Sequence, residues 1–160
     1  MRKSVTIVID KEGRDHGKHF LLTEAPAMKV ELWAARAFNG LARANVQIPE
    51  EVRGSGVVGV FIMGIKMLVA MEWDVQQGLM NEMLECARYM PDPMKPEVLR
   101  PLIGPGSNPD GDVEEFLTIV HLREEIFALH AGFTLAGVIS TLPSAAKQAE
   151  AWLSTSTSPL

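Results

Sequence analysis

A chain of 160 residues has enough mass for one hydrophobic core and too little for two generous ones. Hydrophobic residues at 47 % and charged residues at 22 % exclude a disordered chain, and a formal net charge of −5 argues against a sequence-independent grip on nucleic acid, which needs clustered positive charge. The single cysteine, Cys86, has no internal disulfide partner, so a reducing cytoplasm is the expected compartment.

The start, Met1-Arg2-Lys3-Ser4, is basic, but the apolar run behind it (5–9) is too short for the hydrophobic region of an export signal, and none is expected. That run, Val5-Thr6-Ile7-Val8-Ile9, is almost entirely β-branched and reads as a strand. A polar stretch (10–18) with Gly13 and Gly17 supplies turn chemistry, and His19-Phe20-Leu21-Leu22-Thr23 makes a second strand. The two predict an N-terminal β-hairpin whose apolar face must cover helices or a neighbouring subunit, because a lone hairpin is marginal in water.

Pro26 is expected at the first helical position, where its missing N–H costs nothing. From it Val30, Trp33, Ala34, Ala37, Phe38 and Leu41 recur at helical spacing, with Lys29, Glu31, Arg36, Asn39 and Arg43 on the other side. After a connector (45–49), residues 50–53 read as a first helical turn. The run 57–71 is apolar on nearly all sides, as in a central buried helix, though a two-strand reading stays open. Residues 75–90 read as an amphipathic helix bearing Leu79, Met83, Cys86, Ala87 and Met90 on one side, stopped by the prolines at 91, 93 and 96.

Residues 98–103 are expected to lie extended against the body, ahead of a second break at 104–111. Asp112 is the expected cap of the next helix, with Glu114 and Glu115 in its first turn. Val113, Phe116, Leu117, Val120 and Phe127 lie on one face of it and Ile119, Leu122 and Ile126 near another, up to an end near Gly132. A small-residue helix to 142 and a segment 144–153 complete the chain. The expected fold is therefore α+β and predominantly α-helical, an N-terminal hairpin followed by about five helices, in one domain (1–153) with a disordered low-complexity tail (154–160). The uncharged segment 126–146 contains His130, Thr134, Ser140, Thr141 and Pro143, and reads as a buried helix and turn rather than a membrane span.

Each chemical motif fails on its own physics. Gly54-Ser55-Gly56-Val57-Val58-Gly59 matches a dinucleotide fingerprint, but no hydrophobic strand feeds its first glycine. His16 and His19 beside Asp15 lack a second ligand pair, and His121 with Glu124 or Glu125 reads as a helix-surface pair. His130 reads as a satisfied interior histidine. Asn108-Pro109-Asp110-Gly111-Asp112 lacks the spaced carboxylates of a calcium loop. Cys86 is expected to hold its proton, given burial and acidic neighbours. No enzyme activity, cofactor or metal is expected. Met63, Met67, Met71, Met80, Met83, Met90 and Met94 cluster mid-chain, and either fill a core or line a surface that repacks against partners.

The stretch Gly17-Lys18-His19-Phe20-Leu21-Leu22-Thr23-Glu24-Ala25-Pro26-Ala27-Met28, continuing into Glu31-Leu32-Trp33-Ala34-Ala35-Arg36-Ala37-Phe38, resembles a segment of the tail assembly chaperones of long-tailed bacteriophages and prophages. There a strand ends in a Thr-Glu-x-Pro-Ala turn that opens a helix with a Trp-Ala-x-Arg-Ala pattern. The resemblance covers about a seventh of the chain. It implies a protein of the host cytoplasm, absent from the finished virion, that coats the tape-measure protein and helps recruit tail tube subunits. Many such proteins have a second, frameshifted length, and the polar tail after 153 is where an extension would join. Trp33, Ala37, Phe38 and Leu41, with Met63, Met67, Met80 and Met83, are the expected partner contacts. Self-association is expected, with the hairpin edge available to a neighbour. No nucleic acid or membrane partner is expected. The alternatives are a tail completion or connector subunit, and a membrane-active protein built on 126–146.

Overall fold

β1 (Ser4–Val8) and β2 (His19–Thr23) pair antiparallel, Val5 opposite Leu22 and Ile7 opposite Phe20. The connecting loop turns back through Gly17 at φ 77°, a left-handed conformation that glycine adopts without strain. These strands belong to a computed structural model that describes residues 1–47, 50 and 65–141, with side chains for 1–47, 50 and 67–132. Period-two alternation turns Phe20 and Leu22, both fully buried, to the same side.

The sheet does not stop at two strands. β3 (Ala87–Met90) pairs with β2 and β4 (Arg100–Pro101) with β3, all antiparallel, in the order β1-β2-β3-β4. This corrects the helix expected over 75–90. That helix ends at Leu84, Glu85 and Cys86 close its last turn, and the Cys86 carbonyl then accepts from the Thr23 amide at 2.8 Å. The reason is backbone satisfaction. β2 carries fully buried side chains, and without a second partner its inner edge would leave N–H and C=O groups unpaired. A four-residue segment with Ala87 and Met90 buried fits either period, so the sheet decides.

α1 (Ala27–Arg43) follows β2 as expected, with Pro26 one position ahead of its first residue. Its stripe of Trp33, Ala34, Ala37 and Leu41 is buried, and Val30 and Phe38 pack half-buried beside it. A 3-10 helix (Ile65–Ala70) leads to α2 (Trp73–Leu84), and α2 runs back along α1, Leu79 meeting Trp33 and Val75 meeting Gly40. A Cβ on Gly40 would lie 2.7 Å from the Met71 sulfur, so the glycine sets how closely the second segment approaches α1. The apolar run 57–71 is not buried on all sides where it is described, since Leu68 is interior while Val69 is exposed. Its part before residue 65, the fingerprint string 54–59, the turn at 50–53 except residue 50, and the segments 142–153 and 154–160 lie outside the described residues.

α3 (Pro109–Asp112) is a single turn, and α4 (Phe116–Thr141) is continuous through Gly132, where a break was expected. A glycine within a helix costs only about 1 kcal/mol, and this one adopts no left-handed φ that would end it. The described residues thus hold four α-helices, not about five, in a mixed α+β fold. The buried face of α4 carries Leu122 and Ile126, of the second set, whereas Phe116, Leu117 and Val120, of the first, are exposed. No helix among the described residues is long and apolar enough to cross a membrane.

Two polar anchors tie the loops to this body. Asp112 does not cap α4; it is 1 % exposed and takes a two-point bond from Arg100, at 2.7 and 2.5 Å, while the same guanidinium lies 5.7 Å from the Tyr89 ring centre. Capping falls instead to Asp15, from the hairpin loop. Its carboxylate accepts from the Glu114 and Glu115 amides at 3.0 Å each and from Lys18 Nζ at 2.7 Å. Arg100→Ala would leave a buried carboxylate without its cation, and is expected to lower unfolding free energy by about 2 kcal/mol in a urea titration.

Candidate interaction site

α1, α2 and α4 do not close completely on one another. Between them lies a narrow cleft of about 40 Å³, partly open to solvent, walled by Val30, Trp33, Met83, Ile126 and Phe127, with Lys29, Glu82, Cys86 and His130 among its lining. Trp33 holds the centre. Its indole N–H donates to the Leu79 carbonyl at 3.0 Å, and its ring meets Phe127 edge-on at 6.5 Å between centres. The indole thereby locks α1 to α2 and α4 together.

His130 closes one end. Its Nδ1 lies 2.7 Å from the Ile126 carbonyl, which can only accept, so this nitrogen carries the proton. Nε2 then accepts from the Ala25 amide at 2.9 Å. The Thr23-Glu24-Ala25-Pro26 turn that opens α1 is therefore fastened to α4 by a neutral imidazole. Both ring nitrogens are engaged with backbone, which suits a strut better than a proton shuttle.

Charge sits at the rim. Arg36 grips Glu82 through both terminal guanidinium nitrogens at 2.6 and 2.5 Å, and Lys29 pairs with Glu85. The bond from Arg36 holds the Glu82 carboxyl below its usual range against the opposing effect of burial. The bond to Glu85 raises Lys29, with burial again opposing. Burial pushes the Cys86 thiol up, so it remains protonated near neutral pH and is a weak nucleophile. No group of three or more His, Cys, Asp or Glu among the described residues could hold a metal ion.

The expected contact residues divide by depth. Trp33, Ala37, Leu41 and Met83 are buried in the core, although Trp33 and Met83 also face the cleft. Phe38, Met67 and Met80 are half-buried against the core, and Met63 lies outside the described residues. Of the other clustered methionines, Met71 and Met90 are buried and Met94 is exposed, so the described part of the cluster mostly fills the interior. On α1 the apolar surface that a partner could touch comes from residues the helical stripe did not select. Met28 and Leu32, at i and i+4 on α1, are 74 % and 58 % exposed. Trp73 at the start of α2 is 66 % exposed, and Phe116 at the start of α4 is 76 % exposed. The i, i+4 spacing of Met28 and Leu32 was present in the sequence, on the side assigned to charge. Comparison with protein-family models, with curated proteins and with solved structures finds no match for this chain.

Proposed function

We propose that this chain is a tail assembly chaperone of a long-tailed phage or prophage, acting in the host cytoplasm to bind the tape-measure protein, keep it soluble and help recruit tail tube subunits. The observation that carries the reading is the apolar surface left exposed on α1. Met28 and Leu32 stand exposed on α1, whose opposite side contributes Val30 and Trp33 to the cleft wall. Isolated exposed apolar residues are ordinary, but two in register on one helix face suit a partner helix packed alongside α1. The segment that resembles the chaperones, 17–38, supplies β2, the turn fastened by His130 and most of α1.

The mechanism is mass action. Many copies shield the apolar stripe of a long helical partner, and each leaves as tube subunits compete for the same stripe. The ion pairs at the rim, Arg36 with Glu82 and Lys29 with Glu85, hold the two walls at a set spacing.

Co-expression with the tape-measure protein of the same genome tests the reading. The tape-measure protein is expected to move into the soluble fraction and to co-purify with this chain. Met28→Asp combined with Leu32→Asp should abolish co-purification while changing the chain's own stability by about 0.5 kcal/mol or less, since both side chains are exposed. A tape-measure protein equally insoluble with and without this chain would sink the proposal. Recovery of the chain from purified particles would favour a tail completion or connector subunit instead.

A further inference from the structure

We propose that β1 is a homodimerisation edge, pairing antiparallel with β1 of a second copy about a two-fold axis through Thr6. β1 ends the sheet, and no strand lies on its outer side among the described residues. The Lys3 carbonyl accepts from the Glu24 amide at 2.8 Å, and the Ile9 amide donates to the Lys18 carbonyl at 3.0 Å. Backbone direction alternates along a strand, so Lys3, Val5, Ile7 and Ile9 face β2, while Ser4, Thr6 and Val8 direct N–H and C=O outward.

That phase excludes any axis that falls between two residues, and the overlap of the strands favours one centred on Thr6. An axis through Thr6 pairs Thr6 with Thr6 and Ser4 with Val8 of the other copy, and every one of these residues has outward backbone groups. Roughly six ladder hydrogen bonds result. An axis through Val5 or Ile7 keeps the same phase but makes only two outward-facing pairs within Ser4–Val8, against three for the axis through Thr6. The same axis sets Val5 beside Ile7 of the second copy on the core side of the sheet, where Val5 is 38 % exposed in the single chain.

Charge agrees with this register independently. One step beyond the Ser4–Val8 pair, Arg2 of one copy stands opposite Asp10 of the other, at both ends of the ladder. Both residues are exposed. Beyond them Met1 faces Lys11, outside the ladder. β1 itself carries no charge, proline or bulge that would blunt its edge. The second copy, and not an unrelated strand, is favoured because the complementarity is that of β1 with itself.

The inference deepens the self-association expected of the proposed function without resting on its partner. The test uses the full chain alone, so its failure leaves the tape-measure reading standing. Sedimentation velocity over a concentration series should show a monomer–dimer equilibrium. Thr6→Pro removes an outward N–H without touching the β2 ladder, and should weaken dimerisation at least about thirtyfold while the circular dichroism spectrum is retained. Arg2→Glu and Asp10→Lys should each weaken it about tenfold, the reversal acting at both ends. Combined in one chain they should restore it. Within one chain the two positions lie about 27 Å apart along the strand, so restoration can only come from another copy. A strictly monomeric wild type, an assembly unchanged by Thr6→Pro, or a double reversal no better than the singles would each overturn the inference.

Discussion

Trp33→Ala is expected to lower the free energy of unfolding by about 4 kcal/mol, in the range for removing a large aromatic side chain from a core. Three losses combine. The indole leaves a cavity between three helices, its edge-on contact with Phe127 disappears, and the Leu79 carbonyl loses a donor. At 8 % exposure almost none of the lost surface was hydrated in the folded chain. Trp33→Phe should recover more than half of the loss, since it keeps the ring and forfeits the N–H. The check is a urea titration followed by far-ultraviolet circular dichroism, because fluorescence would lose one of its own reporters. A loss under 1 kcal/mol for the alanine variant would show that the cleft already admits water around the indole, and that Trp33 is surface in practice.

Asp15→Ala is expected to cost about 3 kcal/mol, although the residue sits in a polar loop. Its carboxylate is 0 % exposed and is held by Lys18, by the amides of Glu114 and Glu115 and by the Thr118 hydroxyl. Burial pushes the Asp15 carboxyl up, but the Lys18 bond and the amide and hydroxyl donors together outweigh it, so the group ends below its ordinary value of 3.8. A carboxyl lowered on folding stabilises the fold fully above its unfolded value, and that contribution fades as pH falls through the folded one. The gap between wild type and Asp15→Ala should therefore be widest near neutral pH and narrow below about pH 4. Amide exchange at Glu114 and Glu115 should accelerate in the variant at neutral pH. An unchanged rate there would mean that the start of α4 is held by something other than this carboxylate.

The periodic parts of the fold were legible in the sequence. α1 was readable because Trp33, Ala34, Ala37 and Leu41 repeat at helical spacing and all four go to the core. β2 was readable because Phe20 and Leu22 alternate with half-buried neighbours. β3 was not, because four residues do not resolve a period of 2 from one of 3.6, and its partner lies at the other end of the chain's first half. The cap of α4 was hidden for a related reason. A local rule looks for a cap next to the helix and found Asp112, whereas the carboxylate that does the work is Asp15, 99 residues before Glu114.

The proposed interaction surface was harder still. Spacing finds the buried face of a helix well, so it returned Trp33, Ala37 and Leu41, which the core then consumes. Met28 and Leu32 fell on the face assigned to solvent because charged neighbours dominate it. The cleft depends on where three helices meet, and no single stretch of sequence encodes that distance. His130 was readable as interior, but its bond to the Ala25 amide joins positions 105 apart.

The strand order has a consequence during synthesis. β2 stands between β1 and β3, and its pairing with Ala87 opposite Leu22 comes about 65 residues after Leu22 itself. At about 5–20 residues per second, a nascent chain carries that open edge for roughly 3–13 s. Phe20 and Leu22 lie on the strand that waits. During those seconds the open edge of β2 is free to pair with another chain, so aggregation is most probable before β3 emerges.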